Sequence, residues 1–264
     1  MNPISAVELQ SALRASEGPI VIDVRRQPAY RESKATIAGA LRRDPEAVAS
    51  WAKMLPRAAS LVVYCVHGHQ VSQGVARALQ SEGLPARYLE GGIEHWSEAG
   101  GALDSKPAAA DTRWVTRERP KIDRIACPWL ISRFVDRNAE FLYVPTKQVR
   151  EVATARDAIA YDVPEVHFTH EGERCSFDAF VKHYRLGGDP ALQRLALIVR
   201  GADTARLDLA PQAAGLAAVS LGLSRLFADD HEMLRHGMIV YDALYAWCKE
   251  GQQEIHTWNP EAYR

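Results

Sequence analysis

The sequence predicts an α/β domain, a parallel sheet with helices on both faces, followed by a second, mainly α-helical (α+β) domain. Three observations carry that expectation. Before about residue 105, short continuous apolar runs alternate with helix-periodic segments; after about residue 112, long helical patterns dominate. Between them Asp104-Ser-Lys-Pro-Ala-Ala-Ala-Asp111 is small, polar and proline-bearing, as linkers are. The pieces, 1–105 and 112–264, share no internal repeat, so two different folds are expected.

In the first piece, Ser5-Ala-Val-Glu8 is a capping box that opens a helix, and Gly18-Pro19 closes the segment. Ile20–Val24 and Leu61–Tyr64 are apolar runs suited to buried parallel strands. Between them Asp44-Pro45 has the form of an N-cap followed by a first-turn proline, predicting a helix to about Leu55. After a polar loop from Cys65 to Gln70, Val71, Val75, Ala78 and Leu79 recur at helical spacing until Gly83. A strand through Arg87–Leu89 and a short helix from about Ile93 to Ala99 complete the unit.

Composition narrows the function. The chain of 264 residues is 47% hydrophobic and 25% charged with a net charge of −1, an ordinary globular balance that gives no reason to expect a nucleic-acid partner. No cationic n-region precedes an apolar core at the start, and no run approaches the roughly 18 apolar residues of a membrane helix, so neither secretion nor a membrane partner is expected. Cys65, Cys127, Cys175 and Cys248 are scattered without a CxxC pair, which argues against a disulfide framework and a structural zinc site, and for a reducing cytoplasm.

Cys65 is the first candidate for chemistry. A cysteine at the carboxyl end of a buried strand, followed by a short loop and a helix, sits where open α/β sheets bind ligands. Loop amides and the helix start present partial positive charge there, which suits a nucleophilic sulfur and an anion held against it. Cysteine-dependent phosphatases and sulfurtransferases both use such a loop. The phosphatase pattern needs an Arg six residues after the cysteine to grip a dianionic phosphate, and usually a His just before it; this chain has Val71 and Tyr64. Sulfur transfer is the better match, with amides cradling one sulfur.

Residues 1 to about 100 resemble a rhodanese-like domain. The resemblance is carried by Val21-Ile-Asp-Val-Arg25 with Tyr30, by Cys65-Val-His-Gly-His-Gln70, and by Leu89-Glu-Gly-Gly-Ile-Glu-His-Trp96. It implies a thiosulfate sulfurtransferase: Cys65 takes the outer sulfur of a thiosulfate-like anion as a persulfide and passes it to a thiol or cyanide acceptor, with no cofactor required. Val66, His67, Gly68, His69 and Gln70 would line the substrate site. Asp23 and Arg25 would form an internal polar pair bracing the loop, and His67 and His69 would tune the sulfur, bind substrate or stand solvated. Ala35-Thr-Ile-Ala-Gly-Ala40 departs from the family's Gly-His-Ile-Pro-Gly-Ala turn by lacking its His and Pro.

In the second piece, residues 113–137 hold seven basic residues (Arg113, Arg117, Arg119, Lys121, Arg124, Arg133, Arg137) against three acidic ones (Glu118, Asp123, Asp136), readable as an oxyanion site or as a solvated basic face. Residues 112 to about 250 resemble the C-terminal domain of chromate-resistance (ChrB-type) proteins. The similarity lies in Trp114 through Arg133, Cys175-Ser-Phe-Asp178, Val199-Arg-Gly-Ala-Asp203 and Tyr241-Asp-Ala-Leu-Tyr-Ala-Trp247. That implies a link to chromate stress or sulfate-like oxyanions. It makes Arg117, Glu118, Asp123, Arg124, Cys127 and Arg133 the candidates in this half, with chromate or sulfate as a ligand.

Leu192, Leu195, Ala196 and Val199 form one helical stripe; Leu216, Val219, Leu223 and Leu226 form a second, and Met238 to Trp247 a third. All three are expected in the core, with a short strand at Glu140–Val144. Asp229, Glu232 and His236 share a helix face and, with His167, are candidates for a divalent metal; a plain Asp-capped helix start is the alternative. Cys127 reads as a second sulfur acceptor or redox sensor, or else as a buried helix cysteine. The competing reading for the whole chain is a non-catalytic oxyanion or redox sensor of chromate resistance. A DNA-binding regulator lacks a helix-turn-helix pattern, and a chromate oxidoreductase lacks a dinucleotide fingerprint.

Overall fold

Two separate parallel sheets organise the chain. The computed structural model describes residues 2–15, 18–57, 59–105 and 112–253. The first half runs β1 (Pro3–Ile4), α1 (Ala6–Ala12), β2 (Ile20–Asp23), α2 (Gln27–Glu32), β3 (Ala35–Ile37), β4 (Leu41–Arg42), α3 (Val48–Trp51), β5 (Leu61–Tyr64), α4 (Gln70–Ser81), β6 (Ala86–Leu89), α5 (Gly92–Glu98) and β7 (Leu103–Ser105). Five of these strands pair in parallel in the order β1-β6-β5-β2-β4, with Val21 opposite Val62 and Asp23 opposite Tyr64.

Alternation along the buried strands decides where the helices go. Ile20, Ile22, Leu61 and Val63 point to one face and pack with Trp51, Val75 and Leu79. Val21, Val62 and Tyr64 point to the other and pack with Leu9, Ile93 and Trp96. Both faces are therefore apolar and both are covered, the condition an all-parallel sheet requires. The capping box forms as predicted: the Glu8 amide donates to Ser5 Oγ at 3.2 Å, and the Ser5 amide donates to Glu8 Oε2 at 2.9 Å.

The second half runs β8 (Arg113–Arg117), α6 (Asp123–Leu130), β9 (Glu140–Val144), α7 (Val149–Ala155), β10 (Ile159–Ala160), α8 (Ser176–His183), α9 (Pro190–Asp203), α10 (Ala213–Leu226) and α11 (Asp230–Ala246). Its sheet has three parallel strands, β10-β8-β9. Helices dominate, and no described helix is long and apolar enough to cross a membrane.

Three expectations need correction. Asp44 accepts the Glu46 amide at 2.9 Å and so closes a turn two residues on, which delays the helix to Val48–Trp51 and a following 3-10 turn. Asp104 and Ser105, read as linker, belong to β7, which pairs antiparallel with β3; residues 106–111 and 254–264 lie outside the described residues. The α10 stripe is only partly core, because Leu216 is buried while Val219 and Leu226 are 46% and 76% exposed.

The two halves touch through polar groups that fix their approach. Buried Arg43 donates to the carbonyls of Phe134 and Val135. Arg185 donates to the Ala38 carbonyl at 3.0 Å, and His183 Nε2 lies 2.8 Å from Asp104 Oδ2. Gly39, at φ +69°, lets the β3–β4 turn meet the end of α8, since a Cβ there would overlap the His183 carbonyl.

Candidate functional site

Cys65 is the first residue beyond the carboxyl end of β5, the central strand of the larger sheet. The loop that follows rests on the start of α5: the Ile93 amide donates to the Cys65 carbonyl at 3.0 Å and the Glu94 amide to the Val66 carbonyl at 3.3 Å. Such close packing explains Gly92. A Cβ on Gly92 would overlap the Cys65 and Val66 carbonyls, and one on Gly68, at φ +70°, would overlap the Leu89 carbonyl. Trp96 anchors the far end, 2% exposed, with its indole donating to the Ala102 carbonyl at 3.0 Å.

Cys65 is 6% exposed, and its sulfur lies 3.2 Å from Ser72 Oγ in the first turn of α4. Ser72 Oγ is also 3.3 Å from the His69 carbonyl, so its one proton can turn toward either. Among the described residues the amides of Gln70, Val71 and Ser72 have no backbone acceptor, leaving the positive end of a twelve-residue helix beside the sulfur. A cleft of about 480 Å³ opens here, lined by Arg25, Arg26, Ala29 and the loop from Cys65 through Val71, glycine excepted.

Asp23 and Arg25 form a buried ion pair at 2.5 Å beneath the loop. Asp23 also accepts the Tyr64 hydroxyl at 2.9 Å, and Arg25 reaches the Ala35 carbonyl at 3.0 Å, so one carboxylate ties β2, β5 and β3 together. Burial, then the Asp23 charge, pushes the Tyr64 hydroxyl well above its ordinary range, and it stays a donor. His67 is exposed and pairs with Glu94 at 2.9 Å; its ring centroid is 5.8 Å from that of His69.

Most of the basic segment of the second half is engaged within the protein. Arg113 pairs with Glu140 at 2.7 Å, Arg117 with Asp162 at 2.9 Å, and Arg133 with both oxygens of Asp242 at 2.9 and 2.7 Å. Arg119 ties down the carbonyls of Ser224, Phe227 and Ala228 at the end of α10. Glu118 is exposed and engages neighbours through its backbone. Ion pairs and helix ties thus engage Arg113, Arg117, Arg119 and Arg133, while Lys121 and Arg137 stand exposed at the surface. Cys127 is fully buried in α6, and burial pushes its thiol well up, which leaves it unsuited to accept sulfur.

The predicted metal set does not assemble either. Asp229 accepts the Glu232 amide at 2.7 Å as the N-cap of α11, and His236 stacks on Phe227 with centroids 4.3 Å apart. His167 lies elsewhere, 2.9 Å from His183, at a cavity of about 280 Å³ between the halves. Three-residue spacing had reported a cap, not a ligand set.

A different cluster forms instead. Asp123, at the start of α6, is 1% exposed; Asp162 follows β10 at φ +51°; Asp203 ends α9; and His170 reaches in from the loop before α8. His170 Nε2 is 3.2 Å from Asp203, 3.5 Å from Asp162 and 3.7 Å from Asp123. Burial, then the charges of Asp203 and Asp162, raises the Asp123 carboxyl well above its ordinary range. The hydrogen bond to Asp162 raises His170 to about 9 against its partial burial. Asp123 and Asp203 lie in the family-like segments of the sequence, but no local spacing joins them to each other or to Asp162 and His170.

The strand order and the cysteine loop together define a rhodanese-like domain, and residues 5–99 match the family described as Rhodanese-like domain. Residues 114–248 match the family described as ChrB, C-terminal domain, and the chain belongs to that family. Over 133 residues it is 35% identical to Protein ChrB of Cupriavidus metallidurans, covering 50% of this chain and 40% of that protein. Over 90 residues it is 37% identical to Thiosulfate sulfurtransferase GlpE of Pseudomonas fluorescens, covering 34% of this chain and 79% of that protein.

Among solved structures, a rhodanese-related protein from Thermoplasma volcanium is 27% identical, covering 39% of this chain and 98% of its own, with a TM-score of 0.35. A rhodanese-like domain protein from Staphylococcus aureus is 23% identical, covering 40% of this chain and 100% of its own, with a TM-score of 0.34. The chain thus joins a domain of the sulfurtransferase family to a domain of the chromate-resistance family.

Proposed function

We propose that the protein is a rhodanese-type sulfurtransferase that carries sulfur as a persulfide on Cys65. Cys65 Sγ attacks the outer sulfur of thiosulfate or a similar anion; a new S–S bond forms, the donor's S–S bond breaks, and sulfite leaves with the electron pair. A thiol or cyanide then attacks the outer persulfide sulfur and regenerates the Cys65 thiolate, so no external redox partner is needed. The observation that supports this reading most is the placement of Cys65 in the lining of the 480 Å³ cleft, against Ser72 and the first turn of α4. The loop amides would hold the donor's sulfonate, and the exposed His67–Glu94 pair would stand at the rim. The second domain would link this activity to chromate or oxyanion stress, and the reducing conditions of the cytoplasm would keep the sulfur available.

Steady-state thiosulfate:cyanide sulfurtransferase assays on the wild type and Cys65→Ala test the reading. Turnover in the wild type and its loss in the variant are expected; full activity in Cys65→Ala would refute it. An inactive wild type that still binds thiosulfate or chromate at the cleft would favour the sensor instead.

A further inference from the structure

The buried acidic cluster of the second domain stands apart from the cysteine chemistry, and its geometry is that of a ligand set. Asp123, Asp162 and His170 each place a donor atom within 4.8 Å of the other two. Imidazole nitrogen and carboxylate oxygen sit about 2.0–2.2 Å from a bound divalent ion, so two such donors on one ion lie about 3 to 3.5 Å apart. The separations of His170 Nε2 from Asp203 Oδ2, Asp162 Oδ1 and Asp123 Oδ2, at 3.2, 3.5 and 3.7 Å, are close to that spacing.

A second observation points to a missing partner. Asp123 is 1% exposed, and its Oδ1 accepts no hydrogen bond of ordinary geometry, with only the Cys175 thiol acting as a further weak donor toward this carboxyl. An orphaned carboxylate oxygen in the interior is costly unless something binds it. The rest of the cluster is tied down as supports for metal ligands are. Asp123 Oδ2 accepts the Ser176 amide at 2.6 Å, Asp162 Oδ1 accepts the Ser176 hydroxyl at 2.7 Å, and Arg117 and Arg124 approach Asp162 Oδ2 at 2.9 and 3.4 Å. Among the described residues, His170 is the one cationic partner within ion-pair distance of Asp123 and Asp203. His170 is 42% exposed, so the site has a route to solvent.

The geometry points to a divalent transition-metal site in which Asp123, Asp162 and His170 are the ligands and Asp203 stands beside them as a further oxygen donor. Carboxylates with one imidazole suit Mn²⁺, Fe²⁺ or Zn²⁺ better than a thiolate-preferring ion. The site is separate from Cys65 and holds whether or not the chain transfers sulfur.

The test is equilibrium dialysis of the chelator-stripped full chain against Mn²⁺ and, separately, Zn²⁺, with metal content read by elemental analysis. One equivalent per chain is expected for at least one of the two ions. His170→Ala and Asp203→Asn should each weaken that binding by about tenfold or more while near-UV circular dichroism stays that of the wild type. Cys65→Ala should bind as the wild type does, which separates this site from adventitious thiol binding. Absence of a stoichiometric ion in the wild type, or equal affinity in the wild type and both site variants, would overturn the assignment.

Discussion

The Cys65 sulfur and the Ser72 hydroxyl lie 3.2 Å apart, joining the end of β5 to the first turn of α4. The hydroxyl can donate to the sulfur when the sulfur carries charge, both in the attacking thiolate and in the one released at the end of the cycle. Ser72→Ala should therefore lower sulfurtransferase turnover by about fivefold to tenfold, the worth of one hydrogen bond of about 1 to 1.5 kcal/mol, with the fold unchanged. Steady-state kinetics on the variant decide this, and an unchanged rate would remove Ser72 from the chemistry.

Arg25 is the counter-charge of a carboxylate that has almost no contact with water, since Asp23 is 0% exposed. Arg25→Met should cost about 3 to 5 kcal/mol in urea unfolding, because Asp23 is left buried with a hydroxyl for its main partner. The double variant Asp23→Asn, Arg25→Met should recover part of that loss. A single variant as stable as the wild type would show that the pair does not brace the loop.

Gly39 sits at φ +69° where the first half meets the backbone of His183. Gly39→Ala combines a left-handed backbone with a steric overlap, and about 2 kcal/mol or more of stability should be lost. Chemical denaturation of the full chain measures it; a change under 0.5 kcal/mol, roughly the scatter of ordinary surface substitutions, would mean that the contact is loose.

Asp104 makes the same interface sensitive to acid. Burial raises its carboxyl, but the hydrogen bonds from His183 and the Gly39 amide outweigh that and hold it below its ordinary value of 3.8. A depressed carboxylate contributes stability above its unfolded value and loses it as the pH falls through the folded one. The stability gap between the wild type and Asp104→Asn should be present at pH 6 and shrink below pH 3.8. A gap that stays constant with pH would contradict the pairing.

Much of the first domain was legible because its signals are local. Ile20–Val24 and Leu61–Tyr64 are runs whose every residue is buried, and a cysteine placed just after such a run has its position fixed by the strand. The two-residue strands β1 and β4 are too short to carry a pattern, and they exist through pairing with β6 and β2. In the second domain the legible feature admitted two readings, a metal set or a capped helix start, and the cap is the one that forms. Asp229, Glu232 and His236 are near in sequence and share a helix face, but spacing alone does not separate ligands from a cap, and here they form a cap and a ring stack.

The cluster that does assemble draws on residues 123, 162, 170 and 203, which only tertiary structure brings together. The strand Arg113–Arg117 was hidden for a related reason: its ends are arginines, so charge masked a centre in which Trp114, Val115 and Thr116 are all buried.

The most direct measurement is the intact mass of the protein after incubation with thiosulfate, on the wild type and on Cys65→Ala. The sulfur-carrier account predicts a gain of one sulfur atom on the wild type alone, removable by cyanide or a thiol. No adduct on the wild type under conditions that load a known rhodanese, or the same adduct on Cys65→Ala, would contradict it.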